Sequence, residues 1–166
     1  MFMRHVVIDT EQTSIHPERS EIVEICLIEL VDGVVRDAFH SFVNPTRPIS
    51  AEALRITKLD ARLLASAPTF ADIEAKIEAF VSGAPLVSHY VRFERACLNH
   101  AMAAIGRQRF VVEWIDIIDL LPSDWPVEER SLEAVCRRLG AGPIGTVKEC
   151  ALAIATAYRI LVGVEQ

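Results

Sequence analysis

Asp9 and Glu11 stand two residues apart where an apolar run, His5-Val6-Val7-Ile8, gives way to polar residues. In extended backbone, residues two apart point to the same side, so both carboxylates can bind one hard cation. Two divalent cations held by such a cluster hydrolyse phosphodiesters, one activating water and the other stabilising the leaving oxygen. Asp116 and Asp119 form a second carboxylate pair. His89 closes another apolar run, and His16 lies in the polar stretch after Glu11; either can serve as a general base. The structural alternatives are a packed, hydrogen-bonded His89, and plain surface for His16, His40 and His100. Tyr90, Phe93, Trp114 and Trp125 can stack on nucleobases, although Phe93 and Trp114 fall on apolar phases that place them in the core. Arg92 and Arg95 suit either phosphate contact or a solvated helix face. Cys26, Cys97, Cys136 and Cys150 lie far apart with no C-x-x-C pair, which disfavours a disulfide framework or a zinc knuckle. The first three read as small buried residues in reducing surroundings.

The elements that must position these groups are legible in the patterning. HVVID reads as a short buried strand ending on Asp9, and Glu21 to Gly33 as a long, β-branched second strand closed by the Asp32-Gly33 turn. A third follows, with Val35, Asp37, Phe39, Ser41 and Val43 on one phase, until Pro45 and Pro48 end the meander. Helical signals begin near Ser50, with a partial cap at Ser50 and Ala53. Thr69 is a better cap for FADIEAKIEAFV, where Phe70, Ile73, Ile77, Phe80 and Val81 recur at helical spacing. A short strand over Ala84 to Ser88, a helix from Val91 to Ile105, a last strand from Phe110 to Ile117, a helix capped by Ser131 and a final helix from Val147 to Val162 complete the chain. A meander followed by strand–helix–strand units implies a mixed sheet with helices on its faces. Ligands gather at the carboxyl ends of such strands, where Asp9 sits.

The chain has 166 residues, 51% of them apolar, and reads as one domain over residues 1–166. Its 17 basic against 23 acidic side chains give a net charge of −6. That excludes a non-specific nucleic-acid coat, whose affinity comes from phosphate neutralisation, but not a nuclease whose carboxylates hold metals. The opening residues run straight into a strand pattern, with no signal sequence and no apolar run of membrane length. The expectation is a cytoplasmic protein that does not associate with membranes.

Six segments in order resemble the motifs of the DEDDh 3′–5′ exonucleases, the family that includes the proofreading subunit of bacterial DNA polymerase III and ribonuclease T. VVIDTEQTSIHPERSEIVEI resembles the first motif, usually D-x-E-T-T-G followed by an I-V-E-I strand. VNPTRPISAEALRIT resembles the N-P-x-x-P-I segment, and LVSHYVRFERACL the second motif, H-N-A-x-F-D-x-x-F-L. WIDIIDLLP, SLEAVCRRLG and ECALAIATAYRIL resemble the last strand and the two helices that follow. The resemblance implies a ribonuclease H-like α/β fold, with a five-stranded mixed sheet (an antiparallel meander, then parallel strands) flanked by helices. It also implies four metal-binding acids, a histidine base, and Mg2+ or Mn2+ as cofactor.

Carried over by position, Asp9 and Glu11 match the first pair of acids, and Glu94 stands where the second motif has aspartate. Asp116 matches an aspartate that caps the next helix. Thr10, Gln12, Thr13, His89, Tyr90 and Phe93 match substrate-binding positions. The last motif departs: Cys150 stands at the fourth acid and Gly145 at the general base, while Ser14 replaces the first motif's glycine. A thiol is a soft ligand, poorly suited to magnesium, and glycine takes no proton from water. The departures imply weak or single-site metal binding and impaired hydrolysis of a single-stranded or frayed 3′ end of DNA or RNA. The alternative is a non-catalytic module that binds nucleic acid or a protein. A mononucleotide ligand, a homodimer and a polymerase-like partner also fit. Glu149 could replace the missing acid if the helix start slips, and a zinc hydrolase built on Cys150 and His89 is a third reading.

Overall fold

β1 (Arg4–Gln12) owes its place at the middle of the sheet to a run that is apolar on both sides: Val6, Val7 and Ile8 are all fully buried. The computed structural model describes residues 3–14, 16, 19–47, 49 and 59–164, so the partial cap at Ser50 and Ala53 lies outside the described residues. β2 (Ile22–Val31) pairs antiparallel with β1, and β3 (Val34–Phe42) antiparallel with β2. Between β2 and β3, Asp32 and Gly33 both adopt positive φ, 51° and 75°, the geometry of the two-residue turn whose twist matches its flanking strands.

The chain then forms α1 (Ala61–Ala65) and α2 (Phe70–Val81), the latter opened by Thr69, whose backbone N–H donates to the Asp72 carboxylate at 2.8 Å. β4 (Leu86–Ser88) returns parallel to β1, with Val7 opposite Val87, and leads into α3 (Val91–Ala104). β5 (Trp114–Asp116) adds parallel to β4 and is followed by a 3₁₀ turn, Ile117–Leu120. α4 (Leu132–Leu139) and α5 (Val147–Leu161) end the described structure. The sheet order is β3-β2-β1-β4-β5, a five-stranded mixed sheet with helices on both faces.

Strand alternation divides the core. Val7, Cys26, Ile28 and Leu30 face α4 and α5, packing with Val135, Ala151, Ile154 and Tyr158. Val6, Ile8, Ile25 and Leu27 face α2 and α3, packing with Ile73, Ile77, Cys97 and Leu98. Burying each large aliphatic side chain contributes about 1.5–3 kcal/mol, so the two layers dominate stability. No helix among the described residues is long and apolar enough to cross a membrane.

Strand boundaries differ from expectation at β1, β4 and β5, with β4 beginning at Leu86 rather than Ala84. β1 continues past Asp9 to Gln12, because Asp9, Thr10 and Glu11 still find partners in Cys26, Ile25 and Glu24. β5 covers three residues rather than Phe110 to Ile117, because its only ladder is with the three residues of β4.

Candidate active site

The first acidic pair belongs to the α5 side of the sheet. Asp9 and Glu11 follow Val7 on the same phase of β1, toward the layer holding Cys26 and Ala151. A register shift between Glu11 and Gln12 breaks the ladder just beyond them, the kind of bulge that re-aims side chains beside active sites. By the register of Val7 with Val87, β4 ends at Ser88 level with Ile8, so Asp9 stands where the parallel pairing stops.

Glu94 arrives from the opposite face. It lies in the first turn of α3, is 6% exposed, and accepts a 2.6 Å hydrogen bond from Thr10 Oγ1. The Gln12 amide donates to Thr10 Oγ1 and, at 3.0 Å, to the Thr10 carbonyl. Burial pushes the Glu94 carboxyl up to about 8; Thr10 and Gln12 oppose the shift and the Glu11 charge adds to it. Burial also raises Asp9 well above the usual carboxylate range, reinforced by the charges of Glu94, Glu11 and Glu24. Glu11 is raised by burial and by Glu24. Four carboxylates thus repel one another, a condition that either protons or cations relieve.

At the start of α5, the Thr146 N–H donates to Glu149 Oε2 at 3.0 Å and the Glu149 N–H donates to Thr146 Oγ1 at 3.2 Å. This reciprocal capping box occupies the Glu149 carboxylate and keeps the helix start in register. Cys150 is half-buried. Its thiol is pushed up to about 12 by burial and then by the Asp9 charge, with a backbone hydrogen bond at Gly145 opposing the rise. At neutral pH it is a neutral thiol near the Asp9 and Glu11 carboxylates, not the thiolate that binds metal.

The far wall is organised by Asp116. Its carboxylate accepts from the backbone N–H groups of Tyr90 (3.2 Å) and Val91 (2.9 Å) at the start of α3, and of Ile118 (3.0 Å) in the 3₁₀ turn. One side chain caps two elements. Asp116→Ala should destabilise the fold by about 1–3 kcal/mol, with Asn recovering part of the loss, as read by urea denaturation. Equal stability of the three proteins would contradict this role. Asp119, by contrast, is exposed.

A family model described as exonuclease matches residues 6–151. The chain belongs to the DEDDh 3′–5′ exonuclease family. The DNA polymerase III subunit epsilon of Rickettsia typhi is 30% identical over 175 aligned positions, covering 99% of this chain and 76% of that protein. Among solved structures, exonuclease X in complex with 5′-overhanging duplex DNA superposes with a TM-score of 0.74 at 23% identity, covering 96% of this chain and 91% of that one. The nuclease domain of 3′hExo, a DEDDh member bound to rAMP, gives 0.78 at 18%, covering 97% and 90%. These two likenesses show the ribonuclease H-like fold.

Several positions expected to bind substrate in this exonuclease domain turn toward the protein itself. Thr10 and Gln12 are engaged with Glu94, and Thr13 Oγ1 accepts the Glu21 N–H at 3.0 Å. Phe93 and Trp114 pack against the α2–α3 core layer. Trp125 is buried, with its indole N–H donating to the Glu129 carbonyl at 3.0 Å and the Arg138 guanidinium over its ring, so it offers no stacking face. His89 is packed: Nε2 donates to the Arg130 carbonyl at 2.8 Å, and burial lowers its affinity for a proton. Tyr90 remains exposed.

Beside Asp9 and Glu11 lies a pair that the residue pattern does not single out. Glu24 is 7% exposed and sits opposite Glu11 on the β1–β2 ladder, where His40 Nε2 donates to its Oε1 at 2.7 Å. His40 reads as surface from the sequence. Only the β2–β3 register, Cys26 opposite His40, brings it beside a buried acid. The I-V-E-I segment was the available signal, since a charged residue inside a run buried on both sides needs a partner.

DEDDh exonucleases generally use divalent metals. The donor set meets that requirement in part. Asp9 and Glu11 present hard oxygens on one face, while Glu94 is held by Thr10 and Cys150 is a neutral thiol. Among the described residues, no three His, Cys, Asp or Glu side chains are gathered closely enough to hold an ion.

Proposed function

We propose that the domain binds single-stranded or frayed 3′ ends of DNA or RNA and hydrolyses the terminal phosphodiester slowly or not at all. The observation that carries this reading is the first turn of α5. There Cys150 brings a protonated thiol toward Asp9 and Glu11, and Glu149 is already committed to the capping box. Magnesium or manganese would be held weakly and at one site, by Asp9 and Glu11 with Glu94 behind them. Such an ion would supply charge for the scissile phosphate and its water.

This chain's own residues supply the rest. The carboxyls of Asp9 and Glu94, raised by burial and by neighbouring charges, would hold such a cation in their ionised form, and Asp116 fixes the start of the helix that carries Glu94. No base stands at Gly145, and His89 is turned to Arg130. A purely binding module is the second reading. It is favoured by the hydrogen bond that engages the buried Glu94 carboxylate with the Thr10 hydroxyl. The similarity to a polymerase subunit makes a polymerase-type protein the first partner to test.

Calorimetric titration tests the metal half of the reading. Manganese should give one weak binding event, absent in Asp9→Ala. Two tight sites in the unmodified protein would show that a further carboxylate completes the cluster.

A further inference from the structure

Residues 110–113 have the sequence of a strand and no strand beside them. Phe110 and Val112 pack against the α2–α3 core layer, while Val111 between them is 90% exposed, the alternation of a half-buried strand. The ladder with β4 nevertheless covers only Trp114–Asp116, and β5 is the last strand of the sheet. Among the described residues, no backbone N–H of residues 108–113 donates to a backbone carbonyl, and of their carbonyls only that of Glu113 accepts, from the Leu86 N–H at 2.9 Å. A strand edge left bare in this way is a template for another chain.

A groove of about 700 Å³ follows this segment. It lies at the amino ends of β4 and β5, away from the carboxyl ends where Asp9 stands. One wall is residues 107–112, and the other is the second half of α2, with Glu74 and Glu78 one turn apart. Glu74 decides what the groove suits. It is 4% exposed, and its ion pair among the described residues is with Arg107 Nε at 3.5 Å, longer than a hydrogen bond. That arginine side chain is 61% exposed, so it offsets little of what burying a carboxylate costs. A buried acid without a hydrogen-bond donor thus faces a groove bordered by bare backbone.

We propose that this groove docks an extended segment of a partner protein, which pairs as a further strand along residues 110–113 and sets a lysine or arginine against Glu74 and Glu78. Between a helix and an open strand edge, backbone hydrogen bonds give affinity to any extended chain, and side-chain contacts with the helix wall select among them. A cation that reaches Glu74 forms a charge-assisted hydrogen bond where water is largely excluded, so it gains more there than on open surface. A neutral or acidic strand meets the same backbone but leaves Glu74 without a donor. Arg107 and Arg109 on the strand wall make a single-stranded oligonucleotide the competing occupant. The docking site does not depend on the 3′-end reading, because none of its residues belongs to the acidic cluster.

The test titrates the full isotope-labelled chain with capped pentapeptides, threonine-valine-lysine-valine-threonine and the same peptide with norleucine for lysine, and follows the amide resonances. The lysine peptide should shift residues 107–113 and the second half of α2. It should bind about 10- to 100-fold more tightly than the norleucine peptide, the worth of a hydrogen bond to a charged group. Glu74→Gln should remove that preference and leave both peptides at the norleucine level. Methylating alternate peptide nitrogens should abolish binding in one phase and spare it in the other, because only every second N–H of a strand faces a given neighbour. This last readout varies the peptide alone and so is independent of any effect of Glu74→Gln on folding. Equal affinity for the two peptides, a preference that survives Glu74→Gln, or no binding of the lysine peptide at millimolar concentration would overturn the proposal. So would an oligonucleotide that shifts residues 107–113 when the lysine peptide does not, since the groove would then track nucleic acid.

Discussion

The double variant Cys150→Asp, Gly145→His is expected to degrade a short single-stranded oligonucleotide with manganese about 10²–10⁴-fold faster than the unmodified protein, the usual contribution of a general base. The aspartate adds a hard carboxylate beside Asp9 and Glu11, where a neutral thiol now stands, and should raise the rate further. The histidine does not enter freely. A Cβ at position 145 would lie 2.9 Å from Glu149 Oε2, so the capping carboxylate must swing aside. Loosening that box should cost about 1 kcal/mol of stability, visible as a lower melting temperature of Gly145→His alone. Adding Glu94→Asp should help again, because the shorter side chain withdraws the carboxylate from Thr10. Brisk digestion by the unmodified protein, abolished in Asp9→Ala, would show that a base exists elsewhere. A restored variant that stays inert but binds single strands would favour the pure binding module.

In EDTA the unmodified protein should lose stability as pH rises from about 5 to 8, opposite to the usual behaviour of salt-bridged carboxylates. The Glu94 carboxyl is raised from 4.5 to about 8 in the folded protein. Between those values the folded state holds a proton that the unfolded chain has released, so stability is fully present below the lower value and falls through the higher one. Asp9 is raised as well and acts in the same direction. The loss should be on the order of a few kcal/mol, read as a falling melting temperature. Glu94→Gln keeps an oxygen to accept the Thr10 hydroxyl but carries no charge. It should flatten the profile and melt higher than the unmodified protein at pH 8. A flat profile in the unmodified protein would mean that Glu94 is solvated and ionised in the fold.

The acidic spacing of Asp9 and Glu11 and the residue types at Gly145 and Cys150 are plain in the sequence, and so are the apolar phases of most strands and helices. Those features are local. A strand's two faces follow from a period of two, and a cap from a residue and its neighbour three on, as at Thr69 and Ser131. The ends of β1 and β5 are not local, because a strand's length depends on its partners' lengths as well as on its own residues.

What pairs with what came from the fold. The sheet order β3-β2-β1-β4-β5 lays Glu24 opposite Glu11 and carries His40 to it across two ladders. Alternation sends Asp9 toward α5 and Thr10 toward α3, so Glu94, the acid of the second motif, meets a hydroxyl. Asp116 caps a helix that begins 25 residues before it, and that remote bond is what holds Tyr90 in a left-handed turn. Residue types and local periodicity set the chemistry available to this chain. Register and strand order, which depend on contacts distant in sequence, decide which of those groups meet and in what state of charge.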